Sequence, residues 1–200
     1  MGIKPGEEPP IFSIKNSAIR DFLIMIAIAV VVFVGLRLTI QTYVVYGPSM
    51  QPNFYEHQRL LVSKLVYNFH EPDRGDVIIF RPPYEGQDSF IKRVIGLPGE
   101  LVEIRQGQVY IHQPDGNVLE LEEPYIEEPA RWQFYGDVIP EGEYFVLGDN
   151  RNNTDDSRNG WTVPAEDIIG KAWITIWPPG QWGMAANYPF PEEVANAAGD

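Results

Sequence analysis

Residues Phe90 to His112 read FIKRVIGLPGELVEIRQGQVYIH, and this stretch decides the fold. Three runs rich in β-branched residues, Phe90–Ile95, Leu101–Arg105 and Gln108–His112, are divided by Gly96-Leu97-Pro98-Gly99 and by Gln106-Gly107. Short alternating runs bounded by turn residues form strands, and a Gly-containing pair between two of them closes a hairpin. Working outward, similar runs occur at Leu60–Val62, Asp76–Phe80, Tyr144–Leu147 and Ala172–Ile176, and Asp115-Gly116 sits where a second two-residue hairpin turn is expected. The pattern predicts a mainly β, antiparallel domain over 41–184. Pro124 to Pro140, with three prolines and four aromatics, reads as an irregular insertion packed on the sheet.

Upstream the texture changes. Phe22 to Ile40 reads FLIMIAIAVVVFVGLRLTI, with one charge, Arg37, near its end. A helix of this length spans roughly 28 Å, close to the thickness of a bilayer's hydrocarbon core. Arg37 can reach the interface from there by snorkelling. A cleavable leader would show a small-x-small site just after the apolar run, and a buried helix of a soluble domain would not be apolar on every face. The prediction is one uncleaved transmembrane anchor over 18–40. Lys4, Lys15 and Arg20 precede the apolar run Phe22–Ile40, which favours a cytoplasmic N-terminus and an extracytoplasmic domain. Residues 1–17, rich in Pro, Gly and charge, are expected to form a disordered cytoplasmic tail, and 185–200 a loose C-terminal tail with little to pack.

Two hundred residues allow one medium-sized domain beside the anchor, and 44% hydrophobic residues supply its core. The net charge of −13 argues against nucleic acid or an anionic lipid surface as the main partner. Cysteine is absent, which excludes disulfides, Cys-ligated zinc and thiol catalysis.

Three segments carry chemistry. Lys92 lies in an apolar strand, and alternation puts it on one face with Phe90 and Val94 while Arg93 shares the other with Ile91 and Ile95. Burial disfavours the ammonium form, and a fall of about two pH units from 10.4 raises the neutral fraction of a lysine at pH 7 about a hundredfold for about 2.7 kcal/mol. Gly47-Pro48-Ser49-Met50-Gln51-Pro52 holds a serine in a turn just beyond the anchor. It is not a G-x-S-x-G elbow, because Gln51 stands where the second glycine belongs. The three histidines, His57, His70 and His112, have no motif around them that fits a Ser-His pair. Gly148 to Arg158, GDNRNNTDDSR, is too polar and turn-rich for a core element. It fails as a calcium loop, since Arg151 falls where a ligand oxygen is needed and the glycine turn and distal Glu are missing.

In this order the three motifs make the chain, from about Phe22 to Trp177, resemble the bacterial type I signal peptidases, membrane-bound serine endopeptidases with a Ser/Lys dyad. The resemblance implies an antiparallel β catalytic domain of that type behind one N-terminal transmembrane helix. It implies Ser49 as nucleophile, Lys92 as general base and Thr154, where the family usually has serine, as the hydroxyl that orients the lysine. Asp156 and Arg158 become a bracing ion pair, with Asp149 and Asn150 in support. Some relatives carry an oxyanion-binding serine at the position of Gly47; with glycine here, the oxyanion falls to the Ser49 backbone N–H and a second donor left open. Tyr43, Val45, Met50, Ser89 and Ile91 are the implied substrate-binding residues, with an extended substrate beside Ser89–Lys92 and Tyr43–Gly47 and small pockets near Val45 and Ile91. No metal or organic cofactor is implied.

The implied partners are precursor proteins bearing signal peptides, the lipid bilayer and a nearby export translocon, with no nucleic acid. The implied location is the plasma (inner) membrane. For Trp177 and Trp182, beside Pro178 and Pro179, two readings stay open: an apolar lip at the lipid interface, or core packing. One rival is a self-cleaving Ser/Lys regulator, which would carry a DNA-binding helix-turn-helix instead of a membrane span. The other is an inactive tethered β module that only binds polypeptides.

Overall fold

The structure, a computed structural model, describes residues 12–84, 86 and 88–190. It divides after Thr39 into two units. The first is a single helix, α1 (Phe12–Thr39). Residues 12–17, expected as tail, are therefore helical, and 1–11 lie outside the described residues. From Ala18 to Gly35 the helix is long and apolar enough to cross a membrane. Its apolar side chains there, Phe22, Leu23, Met25, Val31 and Phe33 among them, are exposed.

The second unit is built of antiparallel strands. They are β1 (Ile40–Val44), β2 (Arg59–Ser63), β3 (Val77–Phe80), β4 (Phe90–Gly96), β5 (Leu101–Arg105), β6 (Gln108–His112), β7 (Val118–Glu120), β8 (Phe134–Val138), β9 (Glu143–Leu147), β10 (Val163–Pro164), β11 (Ile168–Trp177) and β12 (Gly183–Met184). The larger sheet runs β1-β2-β11-β3-β4-β9-β10 with β12 on β11, and the smaller runs β7-β6-β5-β8. Every strand forecast from the sequence is present, with ends shifted by at most a few residues. Gln106 and Gly107 both have positive φ, 50° and 87°, as a two-residue primed hairpin turn requires.

β3 and β4 are central and buried on both faces. Val77, Ile79 and Ile91 face a core with Val45, Met50, Phe54, Leu60, Val62 and Ala172. Ile78 and Phe80 face another with Val94, Tyr144 and Val146. The smaller sheet covers a third core of Ile95, Val102, Ile104, Val109, Ile111, Phe145 and Leu147. Ile78 pairs with Lys92 and Val77 with Arg93, so the lysine and the arginine enter opposite faces of one sheet.

Three expectations are corrected. Asp115-Gly116 is not a two-residue turn: Gln113 and Asn117 close a longer loop, in which the Asn117 N–H donates to Oδ1 of Asp115. The insertion Pro124–Pro140 is not irregular throughout, because Phe134–Val138 forms β8 on the free side of β5. Residues 185–190 are not a loose tail. Ala185 and Phe190 are buried, Tyr188 and Phe190 pack against Tyr125, and Asn187 accepts from the Val77 N–H and donates to the Ala172 carbonyl. Residues 191–200 lie outside the described residues. Ending the chain at Met184 should therefore lower the unfolding free energy by about 3–5 kcal/mol, the usual scale for losing a buried aromatic. A denaturant midpoint unchanged by that truncation would show that the segment only rests on the surface.

Candidate active site

Beyond β1 the chain turns at Gly47 in the left-handed region, φ 75°, where a side chain would strain the backbone. Two interlocked turns follow: the Gln51 N–H donates to the Pro48 carbonyl at 3.1 Å and the Phe54 N–H to that of Met50 at 2.9 Å. Met50 has no exposed surface and anchors the turn in the core beside Phe54 and Ile91. Ser49 projects from this rigid corner. Among the described residues its backbone N–H has no acceptor, so it is free to meet a ligand oxygen.

The Ser49 hydroxyl lies 2.9 Å from Nζ of Lys92. The amine also donates to the Ile91 carbonyl at 2.9 Å and stands 5.1 Å from the centre of the Phe90 ring. Lys92 is only 4% exposed. Burial pushes its pKa down to about 8, against the charges of Asp156, Asp155 and Asp149, which hold it up. An amine titrating near neutrality, within proton-transfer distance of a hydroxyl, can act as a base. The three histidines lie elsewhere: His57 and His70 are exposed, and His112 pairs with Glu103 on the smaller sheet.

Two buried ion pairs frame this contact. Asp149 binds Arg93 through two bonds, Nε to Oδ1 at 2.8 Å and an Nη to Oδ2 at 2.7 Å, with both side chains fully buried. Arg93 also donates to the carbonyls of Gly75 and Ala186 and lies 4.1 Å from the Tyr125 ring centre. Asp149 in turn accepts from Asn53, at the end of the serine turn. Asp156 binds Arg158 twice, at 2.8 and 2.9 Å, and accepts from the Gly148 N–H. Asn150 clamps the serine turn, its backbone N–H on the Ser49 carbonyl at 3.0 Å and its side chain on that of Pro48. Gly148 allows the approach: a Cβ there would meet Oγ1 of Thr154 and come within 2.6 Å of the Ser49 carbonyl oxygen. Asp149 and Asp156 are thus committed to arginines, whereas among the described residues the loop's third aspartate, Asp155, makes no ion pair.

Thr154 does not sit as expected. Among the described residues, Nζ of Lys92 has two hydrogen-bond partners, Ser49 and Ile91, and the Thr154 hydroxyl donates instead, weakly, to the Asp155 carbonyl at 3.4 Å. The substrate-facing side of β1 is also revised. Val45 and Met50 are core residues, and Tyr43 packs on the same core, because alternation turns Tyr43 and Val45 inward. Val44 and Tyr46 line the cleft in their place. With Ser49, Ser89, Ile91 and Lys92 they enclose about 480 Å³, and Asp88 and Asp155 join the lining. The sequence reading thus missed Val44, Tyr46, Asn53, Asp155 and the burial of Arg93, as well as a buried pair of Arg151 with Glu123 under the loop. The position of Arg93 inside the same apolar run as Lys92 was the available signal.

The sequence model of the family described as "Signal peptidase, peptidase S26" matches residues 18–177. The probable signal peptidase I-1 of Synechocystis sp. is 37% identical over 180 residues, covering 86% of this chain and 89% of that one. Signal peptidase I of Leptolyngbya laminosa is 37% identical over 84% of each chain, and signal peptidase I U of Bacillus subtilis 37% identical over 86% of this chain and 95% of its own. A crystal structure of a signal peptidase I from Enterococcus faecalis V583 is 36% identical, with a TM-score of 0.44, and covers 50% of this chain and 96% of that one. The chain belongs to the signal peptidase family, peptidase S26.

Removing one member of a fully buried pair strands the other charge. Asp149→Ala should destabilise the domain by about 3–5 kcal/mol, and a double replacement, Arg93→Met with Asp149→Leu, should recover much of that loss. Equal stability of the single variant and the parent in a denaturant titration would mean that the pair is held by its surroundings and does not itself hold them.

Proposed function

We propose that the chain is a membrane-anchored serine endopeptidase that removes signal peptides from exported precursor proteins, with Ser49 as nucleophile and neutral Lys92 as general base. The observation that carries this is the 2.9 Å contact between the Ser49 hydroxyl and an amine whose pKa burial lowers to about 8. Family membership supplies the substrate class.

In this mechanism Lys92 takes the proton of Ser49 as Oγ attacks the scissile carbonyl carbon. The developing oxyanion meets the Ser49 backbone N–H, with a second donor in addition, since Gly47 brings no side chain. The ammonium of Lys92 then protonates the departing amine. In the second half Lys92 takes a proton from water, whose oxygen attacks the acyl-enzyme and frees Ser49. The Ile91 carbonyl keeps the amine aimed throughout. Asp149, Asn150, Asp156 and Arg158 support the site by fixing the loop against the serine turn.

The substrate lies extended along Ser89–Lys92. β9 pairs with β4 only from Arg93 onward, so Phe90–Lys92 have no strand partner on that side and can accept one. Ile91, Val44 and Tyr46 offer the apolar contacts for small side chains before the cut. The span in α1 anchors the enzyme in the plasma membrane beside the export translocon, N-terminus inside. Trp173, Trp177, Trp182 and Met184 are exposed, which favours the apolar lip over core packing for Trp177 and Trp182.

Ser49→Ala and Lys92→Ala should each reduce cleavage of a signal-peptide substrate by several orders of magnitude, the double variant being little worse because the two act as one unit. Since the neutral amine is the active form and its fraction grows as pH rises, kcat/KM should climb with pH through about 8 and then level. A limb centred near 10 would deny the desolvated base. Thr154 remains a positioning residue in this proposal, because contacts at such sites tighten when substrate binds. Thr154→Val should then lower kcat at least tenfold while Thr154→Ser stays near wild type; equal activity of Val and Ser would remove it.

A further inference from the structure

Three aspartates lie in the Gly148–Arg158 loop, and they are not alike. Asp149 is neutralised by Arg93 and Asp156 by Arg158, both within buried bidentate pairs. Among the described residues Asp155 makes no ion pair; one carboxylate oxygen accepts from Asn159, and the residue lines the cleft with Ser49 and Lys92. Asp88, exposed, lies on the same lining. Among the described residues the only cationic side chain lining it is Lys92, which spends its amine on Ser49 and Ile91.

We infer that Asp155 is a specificity-determining residue: its carboxylate, which makes no ion pair, makes the cleft favour a cationic side chain, and reject an anionic one, on a substrate residue within two positions of the scissile bond. This deepens the proposed peptidase activity and rests on it. A substrate strand beside Ser89–Lys92 presents alternate side chains to the apolar contacts and away from them. A residue whose side chain does not enter those contacts comes within range of the aspartate. Like charges across such a cleft reject a substrate more strongly than opposite charges attract it, because the wrong substrate also loses hydration without gaining a partner. Asp88 adds to the same field from an exposed rim, where solvent screens it.

The test uses peptides sharing one small-x-small cleavage sequence, with Lys, Gln or Glu placed either second before the cut or first after it. The wild-type enzyme should prefer Lys over Glu about tenfold in kcat/KM at one of these positions, and Asp155→Asn should bring the ratio within threefold of one. Asp155→Lys should turn the preference toward Glu. Each ratio compares two peptides on one enzyme at one pH, so any effect of the substitution on Lys92 or on stability cancels. The Gln peptides, cut by wild type and not by Ser49→Ala, report separately on the activity itself. A wild-type ratio near one at both positions, or a ratio that Asp155→Asn leaves unchanged, overturns the assignment.

Discussion

The buried pair of Arg93 and Asp149 is the constraint on which the rest of the site depends. Two charges taken wholly out of water are tolerated only when each finds its hydrogen bonds. Arg93 meets that demand with Asp149, two carbonyls and an aromatic face, and Asp149 with Arg93 and Asn53. Those partners, Asn53, Gly75, Tyr125, Asp149 and Ala186, come from five separate parts of the chain. The need to satisfy one guanidinium therefore fixes the serine turn, the polar loop and the segment around Ala186 against β4, at the residue next to Lys92. A one-residue slip of β4 would place the arginine where the lysine belongs and turn each into the wrong face of the sheet.

Lys92 is governed by the opposite balance. Its side chain enters the core of Ile78, Phe80 and Val94 without an ion pair, and burial outweighs the pull of the nearby carboxylates. The arginine partners of Asp149 and Asp156 offset the negative charge of those two residues. The loop can thus be rigid and acidic without returning the lysine to its ordinary pKa. Adjacent residues on one strand, a permanently charged guanidinium and a titratable amine, divide structural and chemical roles by the face they enter.

Much of this was legible in the sequence, for physical reasons. Strands with alternating β-branched residues and a Gln-Gly turn announce themselves locally, and Lys92 stands out as a charge in an apolar run, whereas Ser49, by itself an ordinary turn residue, stands out only in company with the other motifs. What was hidden depends on partners far along the chain. Arg93 could be placed on the face of Ile91 and Ile95, but its burial needs Asp149, 56 positions away. β8 was masked by prolines on either side, and its pairing with β5 is a tertiary fact. Ala185–Phe190, too short to show a pattern, is ordered by Asn187, which bonds β3 and β11, and by two aromatics packed on Tyr125 about 60 positions away. Tyr43 and Val45 were assigned to the substrate, yet the phase of β1 is set by the core below it and turns Val44 and Tyr46 to the cleft.

The account's central claim is that the fold itself, without substrate, holds the Lys92 amine largely desolvated beside Ser49. The most direct measurement is an NMR titration of the lysine side chains in protein labelled at Cε, with the Lys92 signal assigned by its loss in Lys92→Met. A resonance that titrates near pH 8, well apart from the other lysines, is the predicted result. Titration of Lys92 with the others near 10.4 would contradict it, because only about one lysine in a few thousand would then be neutral at pH 7, against about one in ten at a pKa of about 8.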